Sequence, residues 1–152
     1  MIEEYNLSFL NLNTIKSKLL EIETASHGLI TKGVSTYNHG MPTLMYSELT
    51  GLRNVLKQYV RLYCNKYEIS PLKFINSWFN ISQPGNKLKA HNHGESIISG
   101  AFYISGSTPL IFPDTSIKPY PGLLVIFSSD LVHYTEEETE ERIIISFNTD
   151  YL

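Results

Sequence analysis

Hydrophobic positions change their period midway along the chain. In TIKSKLLEIET, residues 14–24, Ile15, Leu19 and Ile22 recur at helical spacing and predict a short amphipathic helix capped by Thr14 or Asn13. The stripe is stronger over residues 47–67, where Leu49, Leu52, Leu56, Tyr59 and Tyr63 mark one face. Ser47 is the expected N-cap there, and Gly51 a tolerated interruption. Cys64 falls on this helix, where a small core residue is expected. Between the two, GLITKGVSTYNHGMPTL has Gly and Pro but no period, and reads as an extended connection or short edge strand able to cover a cleft.

Beyond Pro71 the runs shorten and become β-branched and aromatic: FINSWFNI, SIISGAFYI, PLIF, GLLVIF and RIIISF. They are separated by QPGN, SGST, PDTS, PYPG and EEETEE. Strands at this spacing with no helix between them predict an antiparallel sandwich or barrel, with the earlier helices on one outer sheet face. A length of 152 residues, without repeat or linker, suits one domain: helical support over 1–70 and a strand-rich core over 71–150.

Charge narrows the partners. Twelve basic residues against 15 acidic, with no dense Lys/Arg block, argue against a nucleic acid or an anionic membrane. The acidic run Glu136 to Glu141 reads as a solvated turn that would repel a phosphate backbone. One cysteine cannot form an internal disulfide, and no charged-then-apolar leader opens the chain; a soluble, cytoplasmic protein is expected.

Candidate chemistry gathers in KLKAHNHGESIISGAFYIS, residues 87–105. If a strand runs through 87–93, period-2 alternation puts His91 and His93 on one face, aimed into the barrel mouth. His133 follows GLLVIF, at or near the start of the next short strand. Three histidines suffice to hold a first-row metal, and a solvent-facing pair is the alternative. His27 and His39 sit in loop-like sequence and are expected at the surface. In RIIISFN, alternation puts Arg142, Ile144, Ser146 and Asn148 on one face, with Ile143, Ile145 and Phe147 on the core face. Arg142 then either stays in solvent beside Glu140 or Glu141, or points inward and requires an anion.

Taken together, these motifs resemble a known family. Trp78, Asn80 and Ile81 with a turn at Gly85 come first, then His91 and His93, then Ser99, Gly100 and Tyr103. Gly122, Leu124, Phe127 and Ser129, then His133, then Arg142 through Asn148 complete the pattern. Over roughly residues 28–150 the chain resembles the iron(II)/2-oxoglutarate-dependent oxygenases common in phage and marine bacterial genomes, of the prolyl-hydroxylase-like superfamily.

The resemblance implies a double-stranded β-helix, or jelly roll, with iron at its open end. His91, His93 and His133 become the metal ligands by position, with Glu95 the nearby carboxylate that could serve instead of His93. Arg142 matches the residue that binds the far carboxylate of 2-oxoglutarate, a role suited to a planar fork. The hydroxyl often found two residues later is replaced by Ile144, and Ser146 or Tyr103 could supply that bond. Asn80 is a buried polar group with the cosubstrate as one candidate partner, and Trp78 is expected in the core. The implied reaction consumes O2 and 2-oxoglutarate, releases succinate and CO2, and hydroxylates an unactivated C–H bond.

Peptide or protein side chains come first as substrate, a small metabolite second and a nucleobase third. Residues 28–46 and 105–121 flank the expected mouth, and one is expected to close over substrate. Two alternatives share the jelly roll: a cupin-type metalloprotein, which would give Arg142 no cosubstrate, and a non-catalytic binding module.

Overall fold

A computed structural model describes residues Met1–Leu152. Helix α1 spans Leu12–Leu19, two residues earlier than the period suggested, because Asn11 supplies the cap: its side-chain oxygen accepts from the Thr14 N–H. Ile22 still packs on the core from the turn after the helix. Helix α2 spans Thr50–Lys66 and follows a 3-10 turn at Ser47–Leu49. Ser47 is not its cap; the Ser47 carbonyl instead accepts from the Thr50 hydroxyl at 2.9 Å. Leu52, Leu56, Val60, Tyr63 and Cys64 form its buried face, so Cys64 is the core residue expected.

Nine strands follow in chain order: β1 (Ile2–Asn6), β2 (Gly33–Ser35), β3 (Leu72–Ser82), β4 (Ile98–Ser105), β5 (Leu110–Ile111), β6 (Ser116–Ile117), β7 (Leu123–Ser128), β8 (Tyr134–Thr135) and β9 (Arg142–Tyr151). The five runs read from the sequence correspond to β3, β4, β5, β7 and β9. Strand β1 escaped detection because IEEYN does not alternate; it is an edge strand paired with β7 from Ile2↔Phe127 to Asn6↔Leu123. Strands β6 and β8 are two residues each, too short to carry a period.

All pairing is antiparallel, in a six-stranded sheet of order β1-β7-β4-β9-β3-β2 and a three-stranded sheet of order β6-β5-β8. This is the double-stranded β-helix. On one face of the large sheet, Phe79, Phe102, Ile145 and Phe147 meet Leu19, Leu52 and Leu56 of the helices in a core of 18 buried residues. Full burial of each such side chain contributes about 1.5–3 kcal/mol. The helices therefore cover one outer sheet face, as the pattern predicted. On the inner face Tyr103, Val125, Phe127 and Ile144 join Leu110 and Phe112 in a smaller cluster between the sheets.

Register fixes what points inward. Opposite residues share a face, so Trp78, Ser146 and Ala101 form one inner row and Asn80, Ile144 and Tyr103 the next. Arg142 opposite Ser82 begins the same face. No helix is long and apolar enough to cross a membrane.

Candidate active site

Residues 87–93 are not a continuous strand. Two isolated bridges hold them, Leu88 with Ile30 and His91 with His133, which is enough to aim both His91 and His93 at the inner cavity. The His93 N–H donates to the Ser129 carbonyl at 2.8 Å, fixing the second ring from β7's end. One ligand atom from each of His91, His93 and His133 lies within 4.8 Å of the others.

Nδ1 of His91 lies 2.7 Å from the Lys89 carbonyl and Nδ1 of His133 lies 3.0 Å from the Leu131 carbonyl. A carbonyl can only accept, so each Nδ1 carries the proton and Nε2 keeps a free lone pair. Burial lowers all three pKa values, His133 to about 3 and His93 to about 4, with neighbouring imidazoles adding to the shift. The rings are thus neutral near pH 7, the form that binds a metal.

Glu95 is exposed on the turn after His93 and stands outside this cluster. Trp78 is buried, as expected, and also lines the cavity, with its ring centroid 5.6 Å from that of His93. His27, expected at the surface, also lines the cavity, with its ring edge-on to Tyr37 at 4.8 Å. Tyr37 in turn meets Trp78 at 4.8 Å, so an aromatic wall runs from the mouth toward His93. His27 stands in sequence without a period, which gave no sign of its direction. His39 lies 4.0 Å from Glu23, away from the cavity.

The cavity measures about 800 Å³, including its open mouth, and Arg142 lines it. Arg142 is 1% exposed, which rules out the solvent pairing with Glu140 or Glu141. Its Nη1 donates to Glu138 Oε1 at 2.5 Å. Glu138 is 2% exposed, so the acidic run is not wholly a solvated turn. The four-residue spacing to Arg142 was the available signal, hidden among neighbours that do face water.

Three buried polar atoms here have no partner: Arg142 Nε, Tyr103 Oη and Glu138 Oε2. Each orphan costs about 1–3 kcal/mol. Tyr103 is fully buried, with its ring centroid 5.9 Å from the guanidinium carbon. Two unsatisfied donors beside a cavity fit the oxygens of an anion, and the three lone pairs fit a metal. Asn80 is already served, accepting from the Ser35 hydroxyl at 2.6 Å. Ser146 lines the cavity beside Trp78 and Ala101. Below the histidines, the Ser99 hydroxyl donates to Asn148 Oδ1 at 2.6 Å and lies 2.8 Å from the Ser129 hydroxyl, bracing the strand ends.

Residues 76–111 match the family model described as "Putative 2OG-Fe(II) oxygenase". Comparison with curated proteins by sequence gives no significant match. Among solved structures, a viral collagen prolyl hydroxylase from Paramecium bursaria Chlorella virus-1, in complex with 2-oxoglutarate, is similar at a TM-score of 0.72 and 17% identity, over 99% of this chain and 96% of that one. HygX from Streptomyces hygroscopicus, with nickel and 2-oxoglutarate bound, gives a TM-score of 0.74 at 11% identity, over 99% and 82% of the two chains. A prolyl hydroxylase from Trichoplax adhaerens, in complex with a hypoxia inducible factor peptide fragment, gives 0.71 at 10% identity, over 98% and 83%. The matched segment and the fold shared with these prolyl hydroxylases and HygX bear out the resemblance to 2OG-Fe(II) oxygenases read from the sequence.

Proposed function

We propose that the chain is an iron(II)- and 2-oxoglutarate-dependent dioxygenase that hydroxylates a C–H bond, with a peptide or protein side chain as its first-choice substrate. One observation carries this reading: a single cavity brings three neutral imidazoles together with a buried arginine and an orphaned tyrosine hydroxyl. His91, His93 and His133 hold iron(II), contributing no charge of their own. Arg142 receives the far carboxylate of 2-oxoglutarate through its planar fork, and Tyr103 Oη donates to the same group. Ser146 and Asn80 shape the wall between the two ends. Iron(II) bound there with 2-oxoglutarate and O2 would supply the oxidising chemistry for hydroxylation, with succinate and CO2 as coproducts.

The chain's own contribution is orientation and exclusion of water. Trp78 and Tyr37 form an uncharged wall at which a side chain can rest. The segment 28–46 supplies Leu29, Ile30 and Tyr37 to that wall and is placed to close over substrate. Since the helices pack on the sheet that carries the site, residues 1–152 are read as one domain. The excess of acidic over basic residues supports a partner other than a nucleic acid.

The test is anaerobic reconstitution with iron(II) followed by measurement of succinate from 2-oxoglutarate in air. Succinate should require iron, vanish in His133→Ala, and rise when a peptide pool contains the substrate. Metal binding without any succinate would favour the cupin reading, and stimulation by oligonucleotides alone would reverse the substrate order.

A further inference from the structure

Glu138 is the one buried acid beside the cavity, and the backbone clamps it. The Gly85 N–H donates to the Glu138 carbonyl at 2.7 Å, and the Glu138 N–H donates to the Asn86 carbonyl at 2.8 Å. Asn86 is itself fully buried, and its side-chain oxygen accepts from the Lys32 N–H at 3.0 Å and the Thr31 hydroxyl at 3.2 Å. Two segments distant in sequence thus hold the acid against Arg142. These bonds fix the main chain of Glu138, and its carboxylate is held by the hydrogen bond from Arg142 Nη1.

Resting on the reading of Arg142 as the cosubstrate's carboxylate partner, we infer that Glu138 is the resident counter-ion of that arginine and sets how strongly the cavity prefers a dicarboxylate over a monocarboxylate 2-oxo acid. Without a ligand, a lone buried guanidinium would be costly, and Glu138 relieves that cost by neutralising it. When a far carboxylate arrives, two anions flank one cation, and the newcomer meets repulsion as well as attraction. Glu138 Oε1 takes Nη1 and leaves Nε and the Tyr103 hydroxyl free, so the incoming oxygens have donors but not the full positive charge. Preference for the second carboxylate is thereby held below what a bare arginine would give. Burial also strengthens the hold of Glu138 on a proton, in the direction that eases such crowding.

The experiment compares binding of 2-oxoglutarate and 2-oxopentanoate to the manganese(II)-loaded protein by calorimetry, in wild type, Glu138→Gln, Glu138→Asp and Arg142→Met. Glutamine keeps an acceptor for Nη1 but removes the charge, so the affinity ratio of dicarboxylate to monocarboxylate should rise roughly tenfold, the scale of one pKa unit of interaction. Aspartate draws the charge back and should shift the ratio the same way by less, which keeps the test open if the glutamine variant does not fold. A ratio unchanged in both overturns the inference while leaving the role of Arg142 intact. Wild type that fails to prefer 2-oxoglutarate, or a preference untouched in Arg142→Met, overturns the underlying reading and this inference with it. Thermal melting of the metal-free variants is the second readout: Glu138→Gln should restore part of the loss in melting temperature caused by Arg142→Met, and strictly additive losses would show that the two are not counter-ions.

Discussion

His91 and His133 face each other across a closed pair of backbone hydrogen bonds, each N–H donating to the other's carbonyl at 3.2 and 2.9 Å. The rings are therefore aimed by main chain, and removing one imidazole leaves the bridge that positions the other. For this reason His91→Ala and His133→Ala should remain folded by circular dichroism yet lose stoichiometric iron(II) binding. His93→Ala should weaken binding strongly, and Glu95→Ala should leave it unchanged because Glu95 is exposed and outside the cluster. Anaerobic titration with iron(II) checks all four, and loss of binding in Glu95→Ala would mean the ligand set is wrong.

Protons compete for the same rings. With the folded pKa of His133 lowered to about 3, the unfolded chain, at about 6.5, binds the proton first as pH falls. Stability contributed by the neutral ring is thus full above pH 6.5 and declines toward pH 3. In metal-free protein, protonation of the buried His133 should therefore destabilise the fold progressively as pH falls below 6.5. Denaturant midpoints measured across this range should fall steeply in wild type and less steeply in His133→Asn. Parallel slopes would place the titrating group elsewhere.

Removing the guanidinium should act on the cosubstrate before it acts on the metal. A charge-assisted hydrogen bond contributes about 1.5–3 kcal/mol, so Arg142→Ala should weaken 2-oxoglutarate binding by roughly 10- to 100-fold while iron(II) still binds. Arg142→Lys should recover little, since an ammonium cannot reproduce the fork and would leave Glu138 imperfectly paired. An unchanged KM for 2-oxoglutarate in Arg142→Ala would make the arginine structural.

What was legible in the sequence was whatever a short period could carry. Alternation through Arg142 to Asn148 correctly separated Ile143, Ile145 and Phe147, which meet the helices, from Ile144 and Ser146, which line the cavity. The close placement of the three histidines was readable too, although a pair of isolated bridges holds them rather than the strand expected. Glu138 was invisible because an acidic run looks the same whether one member turns inward or none does, and only Arg142 decides it. His27 was missed for a different reason: it reaches the cavity from an aperiodic connection whose path is set by pairing of Ser35 with Ala25 and Asn80.

Gly100 shows how tightly the cavity floor depends on the helix-side core. It lies on β4 opposite Phe147, and a Cβ there would stand 2.1 Å from the Phe147 ring, far inside contact distance. Phe147 cannot retreat freely, being fully buried and packed edge-on against Phe74 at 4.8 Å. Gly100→Ala should therefore destabilise the protein by roughly 1–3 kcal/mol through overpacking, and more if the strand must shift. Because Ser99 and Ala101 flank the same position and both line the cavity, the shift should also weaken 2-oxoglutarate binding in protein that remains folded. Denaturant unfolding with parallel calorimetry checks the pair of effects. Wild-type stability in Gly100→Ala would mean that Phe147 has room the packing denies.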